Sequence, residues 1–389
     1  MTPSAFNYHN PVELQFGAGS LAKLPAIVQS LGGRRVLVVG DPGVLQAGLV
    51  GRVTQVLSAA DIPHDVFTDI KSDPEVRSVD LGVAMAKQNG ADMVVGIGGG
   101  SALDAAKAIA LMITNEGNIR DYFGIDKVKR PGAPVIAIPT TGGTGSEVTV
   151  WSVLSDTEND LKVNIGSPFN YARVAILDPE LTKSLPAHVT AATGMDALTH
   201  AVESYVNKSC HPVAEAVAEK AIRLIADNLR VAVAQGDHME ARGNMLIASS
   251  LAGMSFNRIR LGLVHAFALP LGNKFHIPHG LVNGIMLSSV MRFNLPGNLQ
   301  KYAKIAELFG ERIEGLSLRE AAERSVHAVQ QLKLDIGLTQ TLADFGMTEA
   351  AFEAVIDETL TSGNIAINPR LPTRDDLARM LQCGMRGTV

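Results

Sequence analysis

The sequence of 389 residues predicts an α/β domain with a mostly parallel sheet at residues 1–185 and an all-helical domain at residues 186–389. Three observations support this fold class. The chain is longer than one ordinary domain of roughly 100–200 residues. Short β-branched runs alternate with helical patterns in the first half, which is typical of sheets built from strand–helix–strand units. After residue 186 such runs become rare and long helical patterns dominate.

The first half contains three predicted buried strands, at residues 35–39, 92–97 and 134–138. Each is a short run rich in Val and Ile, which is typical of parallel strands that are covered on both faces. Helical patterns at 78–89 and 103–114 lie between them. In the second half, helices are predicted at 191–205, 212–234, 240–255, 299–308 and 318–332.

Composition and charge exclude several classes of protein. With 46% hydrophobic and 19% charged residues, the chain can bury a large core. A net charge of −5 argues against nucleic acid as a partner. No stretch approaches the ~20 apolar residues of a membrane helix, and the N-terminus lacks a signal-peptide pattern. Cys210 and Cys383 lack CxxC spacing and are expected to be free thiols in a reducing compartment, so we expect a soluble, cytoplasmic protein.

A glycine-rich turn follows the strand at 92–97 and opens a helix. Gly98 and Gly99 allow a phosphate to approach the backbone, where free N–H groups and the positive end of the helix dipole bind it. Ser101 and Asp104 have the spacing of an N-cap residue and its partner, so we expect them to fix the start of the helix. The turn departs from GxGxxG because Ser101 replaces the last Gly, and a plain tight turn is the alternative.

Two further segments follow predicted strands and carry polar groups suited to a dinucleotide. Residues 139–147 (PTTGGTGSE) combine hydroxyl groups with glycines. Asp41 can accept hydrogen bonds from an adenosine ribose, and its charge would repel a 2′-phosphate, which favours NAD over NADP. The alternative is that Asp41 is only a turn residue before Pro42. Ligands of open α/β sheets bind outside the carboxyl ends of the strands, where these segments fall.

The second half carries a set of side chains suited to a metal ion. Asp196 and His200 are four residues apart in a helical pattern, so both point from one face of the helix. His265 and His279 add two imidazoles farther along the chain. Three His and one Asp suit Fe²⁺ or Zn²⁺. Any one of these histidines taken alone is more simply explained as a capping or core residue, so the prediction depends on the whole set.

Together these motifs resemble the iron-containing (group III) alcohol dehydrogenase family. The resemblance rests on several motifs in one order over nearly the whole chain. They are NPVELQFG at 10–17, GGGSALDAAK at 98–107, PTTGGTGSE at 139–147, GMDALTHAVE at 194–203, GLVH at 262–265, IPHG at 277–280 and NPR at 368–370.

The resemblance implies a Rossmann-like N-terminal domain, an all-α C-terminal domain (the dehydroquinate synthase-like architecture) and an active site in the cleft between them. It also implies NAD-dependent interconversion of an alcohol and its aldehyde or ketone by metal-assisted hydride transfer. Fe²⁺ is the expected metal, with Zn²⁺ as the alternative, and a homodimer or larger homo-oligomer is expected. The implied metal ligands are Asp196, His200, His265 and His279. The implied NAD-binding residues are Asp41, Gly98, Gly99, Ser101, Asp104, Thr140, Thr141, Thr144 and Lys162.

The sequence departs from the family pattern in two places. Many relatives carry a second His four residues after the third ligand, where this chain has Leu269, which cannot relay a proton. His276 is the expected substitute as a catalytic residue, and a surface His is the alternative. Arg258 and Arg260 stand where relatives often read Ser-Asn-Ala. A guanidinium there would clamp a carboxylate, phosphonate or sulfonate of the substrate, and a solvated arginine is the alternative.

Two other functions remain open from the sequence. One is an NAD- and metal-dependent lyase of the dehydroquinate synthase-like type. The other is a dinucleotide-binding sensor without catalysis, which Leu269 favours and the four intact metal residues oppose.

Overall fold

The computed structural model describes residues 5–159 and 161–389, which divide into two compact units. One unit comprises residues 9–185. The other comprises residues 186–389 together with the described residues before His9, which the prediction had assigned to the first domain. Phe6 and Tyr8 belong with the helical unit because both rings pack on His211, with the ring centroids of Phe6 and His211 4.4 Å apart.

The first unit is built on parallel β-structure, as predicted. Its strands are β1 (Glu13–Phe16), β2 (Val36–Val39), β3 (His64–Phe67), β4 (Met93–Gly98), β5 (Gly124–Ile125), β6 (Val135–Pro139), β7 (Trp151–Asp156), β8 (Leu161–Gly166) and β9 (Val174–Leu177). In the larger sheet the order is β1-β9-β6-β4-β2-β3, and each neighbouring pair is parallel. A smaller sheet has the order β5-β8-β7, with β7 and β8 antiparallel.

Strands β2, β4 and β6 are neighbours at the centre of the larger sheet, and their residues are buried. Val39 pairs with Gly96, and Gly98 pairs with Pro139. The segments that follow the three strands therefore meet at one edge of the sheet. The helices of this unit are α1 (Leu24–Ser30), α2 (Pro42–Gln46), α3 (Leu49–Ala59), α4 (Val76–Asn89) and α5 (Gly100–Thr114).

The second unit is helical, which confirms the predicted fold class. Its helices are α6 (Ala187–Val206), α7 (Pro212–Ala234), α8 (Met239–Phe256), α9 (Leu263–Phe275), α10 (His279–Asn294), α11 (Leu299–Leu308), α12 (Leu318–Asp335), α13 (Phe352–Leu360) and α14 (Arg374–Arg386). Helix α6 is buried on all sides over its last three turns, because α7, α8 and α10 pack around it. Within the described residues, every helix is too short or too polar to cross a bilayer.

Candidate metal and dinucleotide sites

The helical unit brings together the four residues predicted as metal ligands. One potential ligand atom from each of Asp196, His200, His265 and His279 lies within 4.8 Å of the other three. The Nε2 atoms of His200 and His279 are each 3.7 Å from Asp196 Oδ1, and Nε2 of His265 is 3.9 Å away. The rings of His200 and His265 stack with centroids 4.8 Å apart.

Three helices supply these side chains. Asp196 and His200 lie one turn apart on α6, while His265 is in the first turn of α9 and His279 is the first residue of α10. Asp196, His200 and His265 are nearly buried, but 48% of the His279 side chain is exposed. The cluster is therefore anchored in the core and open to solvent beside His279.

The geometry and chemistry of this cluster fit a divalent cation. Ligand atoms about 2.1 Å from a tetrahedral ion would be about 3.4 Å apart, slightly less than the observed spacings. In the described structure Asp196 has no Lys or Arg partner, and a buried carboxylate without a cation is costly. A bound metal ion would neutralise this charge and occupy the imidazole lone pairs.

Asn283 also lies at this cluster, and sequence reasoning missed it. Its Nδ2 donates a hydrogen bond to Asp196 Oδ1 (2.7 Å) and lies 3.2 Å from Nε2 of both His265 and His279. Its Oδ1 is buried and has no hydrogen-bond partner among the described residues. Asn283 lies one helical turn after His279, so the same spacing that linked Asp196 to His200 could have identified it.

The residues at which the sequence departs from the family pattern lie at exposed positions. Leu269 is 40% exposed, one turn after His265 on α9. His276 is exposed and ends α9 with a left-handed backbone (φ 54°), which is uncommon outside glycine. Arg258 and Arg260 are exposed, and the Arg260 guanidinium lies over Gly363. His276 is not part of the group of four side chains.

The predicted dinucleotide segments meet at the carboxyl edge of β2, β4 and β6. Asp41 caps α2, because its Oδ1 accepts the N–H groups of Gly43 and Val44. Gly98 requires glycine, since its φ is 147° and a Cβ there would lie 2.7 Å from the Ala102 Cβ. A Cβ at Gly99 would meet only the Thr141 side chain, at 3.6 Å. The packing of the chain does not require glycine at position 99, which fits close approach by a ligand.

The predicted capping of α5 by Ser101 and Asp104 is wrong. Helix α5 begins at Gly100 with Gly99 as its N-cap, and no side chain caps it. The Ser101 hydroxyl instead donates to the Ser72 carbonyl. The Asp104 carboxylate accepts hydrogen bonds from the Ser146 hydroxyl and the Val153 N–H. Both side chains are drawn away from the helix start by contacts that are distant in sequence.

Lys107 completes the network around Asp104. Its Nζ lies 3.2 Å from Asp104 Oδ1 and donates to the carbonyl oxygens of Ser146 and Trp151. Burial lowers the pKa of Lys107, and the negative charge of Asp104 opposes that shift. The network ties the helix after β4 to the segment after β6, so it holds two of the dinucleotide segments together.

The remaining predicted cofactor residues also lie near this edge or in the smaller sheet. Thr140 is buried, and its N–H donates to the Gly98 carbonyl. Thr141 lies beside Gly99, and Thr144 lies beside Gly100 and accepts the Ser146 N–H. Lys162, on β8, forms an ion pair with Asp73 at 2.8 Å.

A parallel sheet with a glycine-rich edge, together with a His/Asp cluster in a helical unit, defines the class of dinucleotide-dependent metalloenzymes. Residues 11–179 match the family model described as iron-containing alcohol dehydrogenase, and residues 190–385 match the C-terminal model of the same family. The chain belongs to the iron-containing alcohol dehydrogenase family.

Known proteins resemble the chain over almost its whole length. A 1,3-propanediol dehydrogenase from Klebsiella pneumoniae is 42% identical, with 98% of this chain and 99% of that protein covered. The solved structure of a 1,3-propanediol oxidoreductase has a TM-score of 0.95 at 42% identity, covering 98% and 100% of the two chains. A sulfoacetaldehyde reductase from Bifidobacterium kashiwanohense, solved with NAD⁺, has a TM-score of 0.90 at 32% identity, covering 98% and 99%.

Family membership confirms several predictions made from the sequence. The chain is an enzyme of the alcohol dehydrogenase class, and its reaction interconverts an alcohol and a carbonyl compound. NAD and iron are confirmed as the cofactors. The lyase and sensor alternatives are set aside.

Proposed function

We propose that the chain oxidises and reduces a small alcohol–aldehyde pair with NAD, and that Asp196, His200, His265 and His279 are its metal ligands. The convergence of these four side chains within 4.8 Å carries the proposal. Fe²⁺ follows from the family. The donor set also accommodates Zn²⁺, which stands above Fe²⁺ in the usual affinity order.

The chain positions its reactants through charge and packing. When bound, the metal ion supplies a Lewis acid for the substrate oxygen, and NAD supplies the hydride acceptor. Asp196 contributes a single negative charge, and neutral imidazoles contribute none, so the four proposed ligands neutralise only part of the charge of a divalent ion. The exposed side chain of His279 leaves this side of the cluster accessible to substrate.

We assign the NAD site to the edge formed after β2, β4 and β6. The N-terminus of α5, with Gly98 and Gly99, is suited to the pyrophosphate because its N–H groups are uncapped by any side chain. Asp41 is suited to the ribose through Oδ2, since only Oδ1 is engaged in capping α2. The other proposed contacts are Ser101, Asp104, Thr140, Thr141, Thr144 and Lys162.

The proposed proton acceptor is the imidazole of His276. The support is its exposed ring, its position three residues before His279, and a left-handed backbone of the kind that clusters at functional sites. Replacing His276 with Ala should change the dependence of turnover on pH. An unchanged pH–rate profile would remove His276 from the mechanism.

The main experiment tests the metal ligands directly. The purified protein is stripped with a chelator, reloaded anaerobically with Fe²⁺ or Zn²⁺, and assayed by NADH absorbance with a panel of alcohols. His200→Ala should abolish both metal binding and turnover. His188→Ala, an exposed histidine on the same helix, should retain both. Full activity without metal, or in the His200 variant, would refute the proposal. Activity restored only by Zn²⁺ would overturn the choice of iron.

The same assay addresses the charge of the substrate. Reduction of short neutral aldehydes is compared with reduction of anionic ones such as sulfoacetaldehyde, the compound named for one of the relatives. If Arg258 or Arg260 clamps an anionic group, the anionic aldehydes should be strongly preferred and the preference should disappear in the corresponding Ala variant. Equal use of both classes would refute the clamp.

We also propose that the chain acts in the cytoplasm as a homodimer or larger homo-oligomer. The support is strand β1, which lies at one end of the larger sheet and exposes the apolar side chains of Leu14 and Phe16. Exposed edge strands are sites of pairing with another chain. Light scattering after size-exclusion chromatography should give at least twice the mass of the chain, and a monomer would contradict the proposal. Fractionation of the source cells would test the location.

A further inference from the structure

Glu203 connects the helix that carries two metal ligands to the helix that carries a third. It lies seven residues after Asp196 and three after His200, on the same face of α6. Its Oε1 accepts the Val264 N–H at 2.6 Å. Its Oε2 accepts the Gly262 N–H at 2.9 Å and lies 2.7 Å from His265 Nδ1.

The surroundings of Glu203 define the state of the His265 ring. Glu203 is 3% exposed, and among the described residues no Lys or Arg forms an ion pair with it. Its charge is stabilised by the two backbone N–H groups, the His265 ring and the positive end of the α9 dipole. An ionised carboxylate only accepts hydrogen bonds, so Nδ1 of His265 carries a proton. The other ring nitrogen, Nε2, faces Asp196 Oδ1 at 3.9 Å.

We propose that Glu203 is a positioning residue of the metal site, which holds His265 in the tautomer and orientation that a metal ion requires. This inference rests on the proposed metal ligands. Carboxylate partners of this kind are general for histidines that bind metals, and their loss typically costs 10–100-fold in affinity. Glu203 acts through His265 and does not itself touch the ion.

The experiment measures Zn²⁺ binding to the metal-free protein by competition with a chromophoric chelator. In Glu203→Gln, a single amide oxygen must replace two carboxylate oxygens, and the NH₂ group opposes one of the N–H donors. Its dissociation constant should rise by roughly 10–100-fold. Glu219→Gln, which replaces a carboxylate bound to the Tyr205 hydroxyl, should leave the constant unchanged.

A second control separates positioning of His265 from stabilisation of the helix start. Asn368 Oδ1 accepts the Leu263 N–H at 3.2 Å, so Asn368→Ala weakens the same end of α9 without removing the partner of His265. This variant should melt at a lower temperature and keep its Zn²⁺ affinity. The visible spectrum of the Co²⁺-loaded protein should shift in Glu203→Gln and not in Asn368→Ala.

The outcomes distinguish this inference from the proposal on which it rests. Wild-type affinity in Glu203→Gln, or an equal loss in Asn368→Ala, overturns the role of Glu203 alone. If the wild type binds no Zn²⁺, or His200→Ala binds it equally well, the metal site itself fails and the inference fails with it. If Glu203→Gln does not fold, Glu203→Asp replaces it, because it keeps the charge and withdraws the carboxylate by one methylene. Unchanged affinity in that variant also overturns the inference.

Discussion

The close contact between α6 and α10 at Gly280 predicts that a single methyl group will disrupt the metal site. A Cβ at position 280 would lie 2.5 Å from the Ala192 carbonyl oxygen and 3.3 Å from the Asp196 Cβ. The carbonyl belongs to the backbone of a buried helix, so it cannot rotate away as a side chain would. In Gly280→Ala the two helices must therefore separate.

The size of this separation follows from ordinary contact distances. Carbon and oxygen atoms approach to about 3.3 Å, so the first turn of α10 must move by about 0.8 Å. His279 precedes Gly280, and its Nε2 is 3.7 Å from Asp196 Oδ1. A movement of that size directly away from α6 would widen the distance between these two atoms to about 4.5 Å. An ion bound to Asp196 would then lie too far from His279, because metal–ligand distances vary by only about 0.2 Å. Losing a contact that only orients a ligand typically lowers metal affinity by roughly 10–100-fold, so we expect the Zn²⁺ dissociation constant of Gly280→Ala to rise by up to about 100-fold.

The assay is Zn²⁺ binding to metal-free Gly280→Ala, with unfolding by urea measured in parallel. Overpacking should lower the free energy of unfolding by about 1–3 kcal/mol. Gly272→Ala is the matched control, because a Cβ there would meet only the Ile277 carbonyl oxygen, at an ordinary 3.5 Å. It should bind Zn²⁺ normally. Wild-type affinity in Gly280→Ala would refute the idea that the packing of α6 against α10 sets the position of His279.

Three further predictions concern stability. Lys107→Met should lower the free energy of unfolding by about 3–5 kcal/mol, because Asp104 loses its buried cation; an unchanged urea midpoint would contradict this. Hydrogen bonds from Arg120 lower the pKa of Asp156 to about 2. The stabilisation from that pair is therefore complete above the ordinary value of 3.8 and is lost as the pH falls toward 2, so the difference in urea midpoint between wild type and Asp156→Asn should shrink over that range. When the metal is present at 100 times its Kd, removing it should lower the free energy of unfolding by about 2.7 kcal/mol. Equal calorimetric midpoints with and without metal would argue against binding to the folded chain.

The central elements of the fold could be predicted because their patterns are local. Strands β2, β4 and β6 are continuous apolar runs, and their residues are buried in the structure. Helix α9 was not predicted, because Pro270 lies inside it and breaks the local pattern. The smaller sheet was also missed. Its strand β8 is partly exposed, so it lacks a continuous apolar run. Its antiparallel pairing with β7 depends on both strands and cannot be read from either segment alone.

The candidate site was only partly accessible from sequence for the same reason. The spacing of Asp196 and His200 is a local property of one helix, whereas the approach of His265 and His279 depends on how three helices pack. Ser101 and Asp104 have the spacing of a capping pair, but their side chains form hydrogen bonds elsewhere. Ser101 bonds to a residue 29 positions away, and Asp104 bonds to one 42 positions away. Sequence spacing predicts which side chains share a face of a helix, but it does not predict their hydrogen-bond partners.

The packing of helix α6 gives small residues a part in the proposed metal site beside the four proposed ligands. Asp196, His200 and Glu203 form one stripe along this helix, and the backbone of α10 approaches the same helix at Gly280. In a close-packed interior, a helix cannot move to accommodate one neighbour without moving the groups it presents to the others. The spacing of the proposed ligands is therefore a property of helix packing, and a methyl group at Gly280 should weaken metal binding although all four side chains remain present.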